Sequence, residues 1–269
     1  MSSEKKGGVV LPLVLIFLFT VAVVLVGIEL YARHQVGNDI AKQVSAEINK
    51  DCIENAGPDD PNSCARIGVP VKTRFSAIPI LFSVPQQKLP QIEVRIGVFP
   101  ESHRLAGTAV KFDAKDVDYT DKHNIKFGSA EAELHIPPVA VRNQLNAEIE
   151  KEAGPLAKHM KVSAVKFFPE AKNVRLELNE GLIKMTVVPN IKNGKFVMEL
   201  TDTEIAGSSQ PFITNLLRSI IPNLAGEYMN ILPTGFVAEE LEIKENEMIV
   251  KVNGKEFTSQ ELAEGTRQY

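Results

Sequence analysis

A chain of 269 residues with 44% hydrophobic residues, 24% charged residues and a formal net charge of -4 can bury a sizeable core, which excludes a disordered chain. Lys and Arg are interspersed with Asp and Glu, which argues against nucleic acid as a partner. Trp is absent and aromatics make up only 6%, which argues against a stacking platform for bases or sugars.

Residues 9–28 carry no charge and are dominated by Leu, Ile, Val and Phe, about the 20 residues that cross a hydrocarbon core as a helix. Lys5 and Lys6 precede the run, so the positive-inside rule assigns residues 1–8 to the cytoplasm and everything after Glu29 to the outside. The run is longer than the apolar region of a cleaved signal peptide, and Gly27 to Ala32 offers no small-x-small cleavage site. An uncleaved single-pass anchor is therefore the expectation.

Residues 29–68 are expected to hold a separate amphipathic helix, N-capped by Asn38 and carrying Ile40, Val44 and Ile48 at spacing four. A turn-rich loop bracketed by Cys52 and Cys64 follows. In an exported chain these two cysteines are expected to form a disulfide, with two free thiols as the alternative. Asp51, Glu54, Asp59 and Asp60 in and around the loop lack the EF-hand spacing, so a solvated acidic turn is expected rather than a calcium site.

The main domain is expected over residues 69–257, with a polar tail over 258–269. It opens with an apolar stretch, Phe75, Ile78, Ile80, Leu81 and Phe82, broken by Pro79. Proline makes this a poor central strand and suits either the lip of a pocket or ordinary core with a bend. Alternating apolar and polar residues predict strands over 91–96, 105–112, 125–136, 174–178, 182–188 and 195–200. Asn179-Glu180-Gly181 and Asn193-Gly194 serve as turns, so these strands read as an antiparallel meander. Pro137-Pro138 opens a helix through Leu145 and Ile149 that stops near Gly154-Pro155. A second helix is predicted from Ser208 to about Leu232, with Phe212, Ile213, Leu216, Leu217, Ile220, Ile221 and Leu224 as a wide apolar stripe that Pro222 should kink. Such a stripe fills a core or lines a hydrophobic trough. A hairpin over 240–243 and 248–252 closes the domain.

Catalytic motifs are missing: the chain has no G-x-S-x-G, no H-E-x-x-H, no P-loop and no G-x-G-x-x-G. His34, His103, His123, His135 and His159 are scattered without ligand spacing. No catalytic residue, metal ligand or cofactor is assigned, and an enzyme is not expected.

The order of features, an anchor, an amphipathic helix, the segment from Phe75 to Phe82 with the strand over 91–96, the stretch Glu131 to Leu145, and Leu232-Pro233-Thr234-Gly235-Phe236 leading into the closing hairpin, resembles the LmeA-like phospholipid-binding family of bacterial envelope proteins. The likeness covers roughly 36–257, and the cysteine loop looks like an insertion. The resemblance implies an α+β fold of the tubular lipid-binding kind, a curved antiparallel sheet wrapped around a long helix with an apolar tunnel left between. It also implies phospholipid or glycolipid acyl chains as ligand, the membrane as a surface, and envelope-assembly proteins as further partners. On this expectation Phe75, Ile78, Ile80, Leu81 and Phe82, with the stripe from Phe212 to Leu224, line the groove. Two other readings compete: a scaffold for envelope enzymes with a filled core, and an exported hydrolase with a nucleophile beside a histidine.

Overall fold

The structure, a computed structural model, describes residues 10–50, 69–77, 79–80, 83–100, 106–121, 124–153, 160–205, 235–259 and 261; the side chains of 10–23, 43, 47–50, 84, 151–153 and 205 lie outside that description. The described chain is an α+β arrangement dominated by antiparallel strands. In order it forms α1 (Val10–Lys50), β1 (Val71–Phe75), a single 3₁₀ turn (Val84–Gln86), β2 (Lys88–Ile96), β3 (Ala109–Asp118), β4 (Lys126–Ile136), α2 (Pro138–Ala153), β5 (Val162–Phe168), β6 (Asn173–Leu178), β7 (Ile183–Lys192), β8 (Lys195–Ile205), β9 (Val237–Ile243) and β10 (Met248–Thr258).

The resemblance implies one curved sheet wrapped around a long helix; the described strands instead divide into two sheets, and among the described residues neither wraps a long helix. Six pair in the order β1-β2-β3-β4-β10-β9, and four in the order β5-β6-β7-β8. The division follows from α2, which leaves β4 through Pro137-Pro138 and packs on β5, so the chain starts a new set of partners there. The two sheets meet where β9 passes β7 and β8, with the Ala238 amide donating to the Gly194 carbonyl at 2.7 Å. One buried cluster runs through both, from Leu134, Ile136 and Met248 to Val174, Leu176 and Met185.

Short strands that the periodicity did not reveal, β1 and β5, complete the edges of the two sheets. β1 is Val71–Phe75, with Lys72 and Arg74 between its three half-buried positions. β5 begins at a backbone fastened by a side chain: Asn146 of α2 accepts from the Val162 amide at 2.8 Å and donates to the Val162 carbonyl at 3.2 Å. A single amide thus stands in for a neighbouring strand.

At its N-terminal end the domain differs from the sequence reading in one further way. No break occurs at Asn38: α1 is one helix of 41 residues, and the Asn38 side chain donates to His34 Nε2 at 3.0 Å within it instead of capping a new one. No proline follows Pro12 in the helix, and contact with β1 supports the stretch that was expected to start afresh. Among the described residues no helix is long and apolar enough to cross a membrane; the side chains of 10–23, the larger part of the uncharged run, lie outside them.

Candidate functional site

Among the described residues, the sequence-predicted groove residues fall where α1 meets β1. The two run alongside each other in opposite directions: Arg33 reaches Ser76, Gly37 lies against Thr73 and Phe75, and Ser45 donates to the Val69 carbonyl at 3.5 Å. Gly37 is needed for that approach, because a Cβ there would stand 2.5 Å from Thr73 Oγ1. Val36, Ile40 and Val44 turn toward the core on the same side.

Glu29 is the first charged residue after the uncharged run, and Arg33 follows one helical turn later, the spacing at which side chains on a helix meet. Arg33 Nε donates to Glu29 Oε1 at 2.6 Å, and Arg33 Nη1 donates to the Ser76 carbonyl at 2.9 Å. The Ile80 amide donates to the same Glu29 oxygen at 2.8 Å. Both side chains are well covered, at 14% and 24% exposure. An ion pair sheltered in this way and shared with two backbone groups is a clamp: it ties the chain leaving β1 to one level of the helix. Ser76 Oγ, next to it, is buried and has no hydrogen-bond partner among the described residues.

Two of the sequence-predicted groove residues fall in this place. Phe75 ends β1 half-buried against the helix, and Ile80 is fully buried at 0% exposure. Ile78, Leu81 and Phe82 lie outside the described residues, as do Phe212, Ile213, Leu216, Leu217, Ile220, Ile221 and Leu224 and both cysteines, Cys52 and Cys64. Sequence reasoning passed over Glu29, Arg33 and Gly37. An acid four residues before a base, directly after an uncharged run, was the available signal for the first two.

Away from β1, from β3 across to the β10–β9 edge, the six-stranded sheet carries an aromatic cluster. Phe127 stacks on Phe257 with centroids 4.8 Å apart, Phe236 meets Phe257 edge-on at 4.9 Å, and Phe112 meets Phe127 edge-on at 6.2 Å. Phe236 lies directly over Gly254, whose missing side chain makes the space for its ring. Across the three central strands the inward face slips by one residue. Asp116 and Glu256 take left-handed conformations (φ 53° and 52°) on either side of Gly128. The slip brings Val117 and Phe257 into the core where strict alternation from Ala114 and Gly254 would leave them outside.

The outer face of that sheet carries charge pairs, two of them across strands and one within β2. Lys251 donates to Glu240 at 2.6 Å, Lys111 lies 3.5 Å from Glu133, and Arg95 Nε donates to Glu93 at 2.7 Å. The Arg95 hydrogen bond holds the Glu93 carboxyl below the usual range, and the Glu240 contact raises the Lys251 ammonium. Asp118 is lowered by the Thr120 hydroxyl and amide, with Lys88 and Lys126 nearby. Burial pushes the neighbouring Tyr119 phenol up. On the four-stranded sheet, the Lys166 hydrogen bond lowers Glu177. His135 sits 3.0 Å from Glu247 at the opposite end of β4, and among the described residues no three His, Cys, Asp or Glu side chains gather as metal ligands would.

No family model, curated protein or solved structure matches the chain.

Proposed function

We propose that the chain is a membrane-anchored, extracytoplasmic phospholipid-binding protein that supports lipid or glycolipid handling in the cell envelope, without catalysis of its own. The observation that carries this reading is the continuity of α1 with the clamp. At 1.5 Å per residue, residues 10–28 extend about 28 Å, close to the roughly 30 Å of a hydrocarbon core. Glu29 and Arg33 then hold Ser76 and Ile80 at the first level beyond it. A mouth formed by the segment from Phe75 to Phe82 would thus open at the outer leaflet, where an acyl chain can enter without crossing water. The gain is large: burial is worth about 0.8 kcal/mol per methylene, so a sixteen-carbon chain carries on the order of 10 kcal/mol.

On this reading the strands and the apolar stripe from Phe212 to Leu224 form a tubular lipid-binding domain of the LmeA-like kind. The scaffold reading keeps one observation in its favour: Ala114 and Ala132, in the middle of the six-stranded sheet, are covered completely at 0% exposure, as in a filled interior. Photolabelling separates the two. Full-length protein is reconstituted in vesicles containing a phospholipid with a photoreactive acyl chain, irradiated, and mapped by peptide mass spectrometry. Label in the peptides around residues 75–82 and 208–232 is the expected result. Label confined to residues 9–28 would leave an anchor and a scaffold, and the lipid-binding reading would fall.

A further inference from the structure

The strand registers place three chain connections at one end of the six-stranded sheet, the end that the clamp ties to α1. Phe75 pairs with Ile92, so β2 continues past the clamped end of β1 toward its own start at Lys88. Lys88 pairs with Asp118, Asp118 with Lys126, and Lys126 with Thr258. The connection from β1 to β2, the connection from β3 to β4 and the end of β10 therefore share one rim. Hydrogen bonds tie them: the Tyr119 amide donates to the Gln87 carbonyl at 2.9 Å, and the Ser259 amide to the Ile125 carbonyl at 2.8 Å. The opposite end carries the connection from β2 to β3, with Val98 at 63% exposure, and the turn from β9 to β10.

We infer that this rim, built by Gln86, Gln87, Lys88, Tyr119, Ile125 and Lys126, rests on the surface of the lipid bilayer. The inference rests on the reading of α1 as an anchor and adds which face of the domain meets the membrane. Helix and strand lie lengthwise: from Arg33 to Ser45 the helix rises about 18 Å, while the chain through β1, from Ser76 back to Val69, covers about 23 Å if extended. The sheet consequently stands on end beside α1 and presents the rim to the side where the uncharged part of α1 lies. Tyr119 is a half-buried amphipathic aromatic, the residue type that settles at a membrane interface, with exposed Lys88 and Lys126 beside it. Asp118 and Asp121 balance those two lysines, so contact is set by the geometry of the anchor and does not require anionic lipid.

The chain contains no Trp, so one introduced indole reports cleanly. Full-length Tyr119→Trp, Gln86→Trp and Val98→Trp variants are each reconstituted in phosphatidylcholine vesicles with or without lipid brominated near the headgroup. β3 spans about 30 Å from Ala109 to Asp118, so a quencher in the bilayer reaches one end of the sheet and not the other. Loss of most of the emission for Trp at 119 and at 86, with undiminished emission at 98, is expected. The Gln86 variant, at an exposed position, answers the question if the Tyr119 variant fails to fold. Emission undiminished at both rim positions, or quenching at 98 instead, overturns the inference. Quenching at the rim together with photolabel confined to residues 9–28 would uphold the rim and remove lipid binding. Photolabel in the domain with an unquenched rim would do the reverse.

Discussion

Single side chains decide whether the elements of this protein can touch. Gly37 is one such case, because a Cβ there would stand 2.5 Å from Thr73 Oγ1. Gly37→Val should cost about 1–3 kcal/mol through overpacking, read as a lowered thermal midpoint of the full-length protein; an unchanged midpoint would mean that α1 and β1 are not pressed together. Asn146 works by bonding instead of by size. With Asn146→Ala, the Val162 amide and carbonyl both lose their partner, and a loss of about 2 kcal/mol is expected. Faster amide exchange at Val162 than at Val165 of the same strand would locate the damage.

At the scale of elements, the turns were legible because their chemistry is local. Asn193-Gly194 forms the two-residue link of β7 and β8 with both residues at positive φ (53° and 72°), as the dipeptide predicts. Replacing both by Val should cost about 1–2 kcal/mol per residue from the left-handed backbone alone. At Gly194 there is an added clash, since a Cβ there would stand 2.5 Å from Val237. Chemical denaturation of the double variant tests this. The slip across β3, β4 and β10 was also written in the chain, though only three strands compared in register reveal it. Each strand has two polar or glycine positions between inward residues: Lys115-Asp116, Gly128-Ser129 and Lys255-Glu256. Read singly, each looks like a strand that loses its alternation. The helix break expected at Asn38 failed for the complementary reason. A side chain able to cap can equally bond one turn back, and packing against β1 chooses between the two.

For the whole molecule, acid is the informative stress. Glu93, Glu177 and Asp118 are all held below their ordinary values by the hydrogen bonds the fold gives them, from Arg95 on the same strand, Lys166 on the neighbouring strand and Thr120 just beyond β3. Their contribution is therefore complete above the unfolded values and is lost as pH falls through the folded ones. The thermal midpoint should accordingly begin to fall below about pH 4.5, the ordinary glutamate value. The decline should be shallower in high salt, because these groups are near the surface and screened. A midpoint that rises on acidification would contradict the hydrogen bonds that hold these three carboxylates. What the sequence determined by itself was everything carried by short-range pattern: the uncharged run, the β-rich α+β character, most strands, the opening of α2 at Pro137-Pro138 and the tight turn at Asn193-Gly194. Periodicity and steric preference act within a few residues and need no partner. Tertiary structure alone decided that the strands form two sheets, that α1 continues through Asn38, and that Glu29 and Arg33 seize Ser76 and Ile80. Each of these joins residues far apart in the chain, and which distant groups meet is set by the packing of the whole fold.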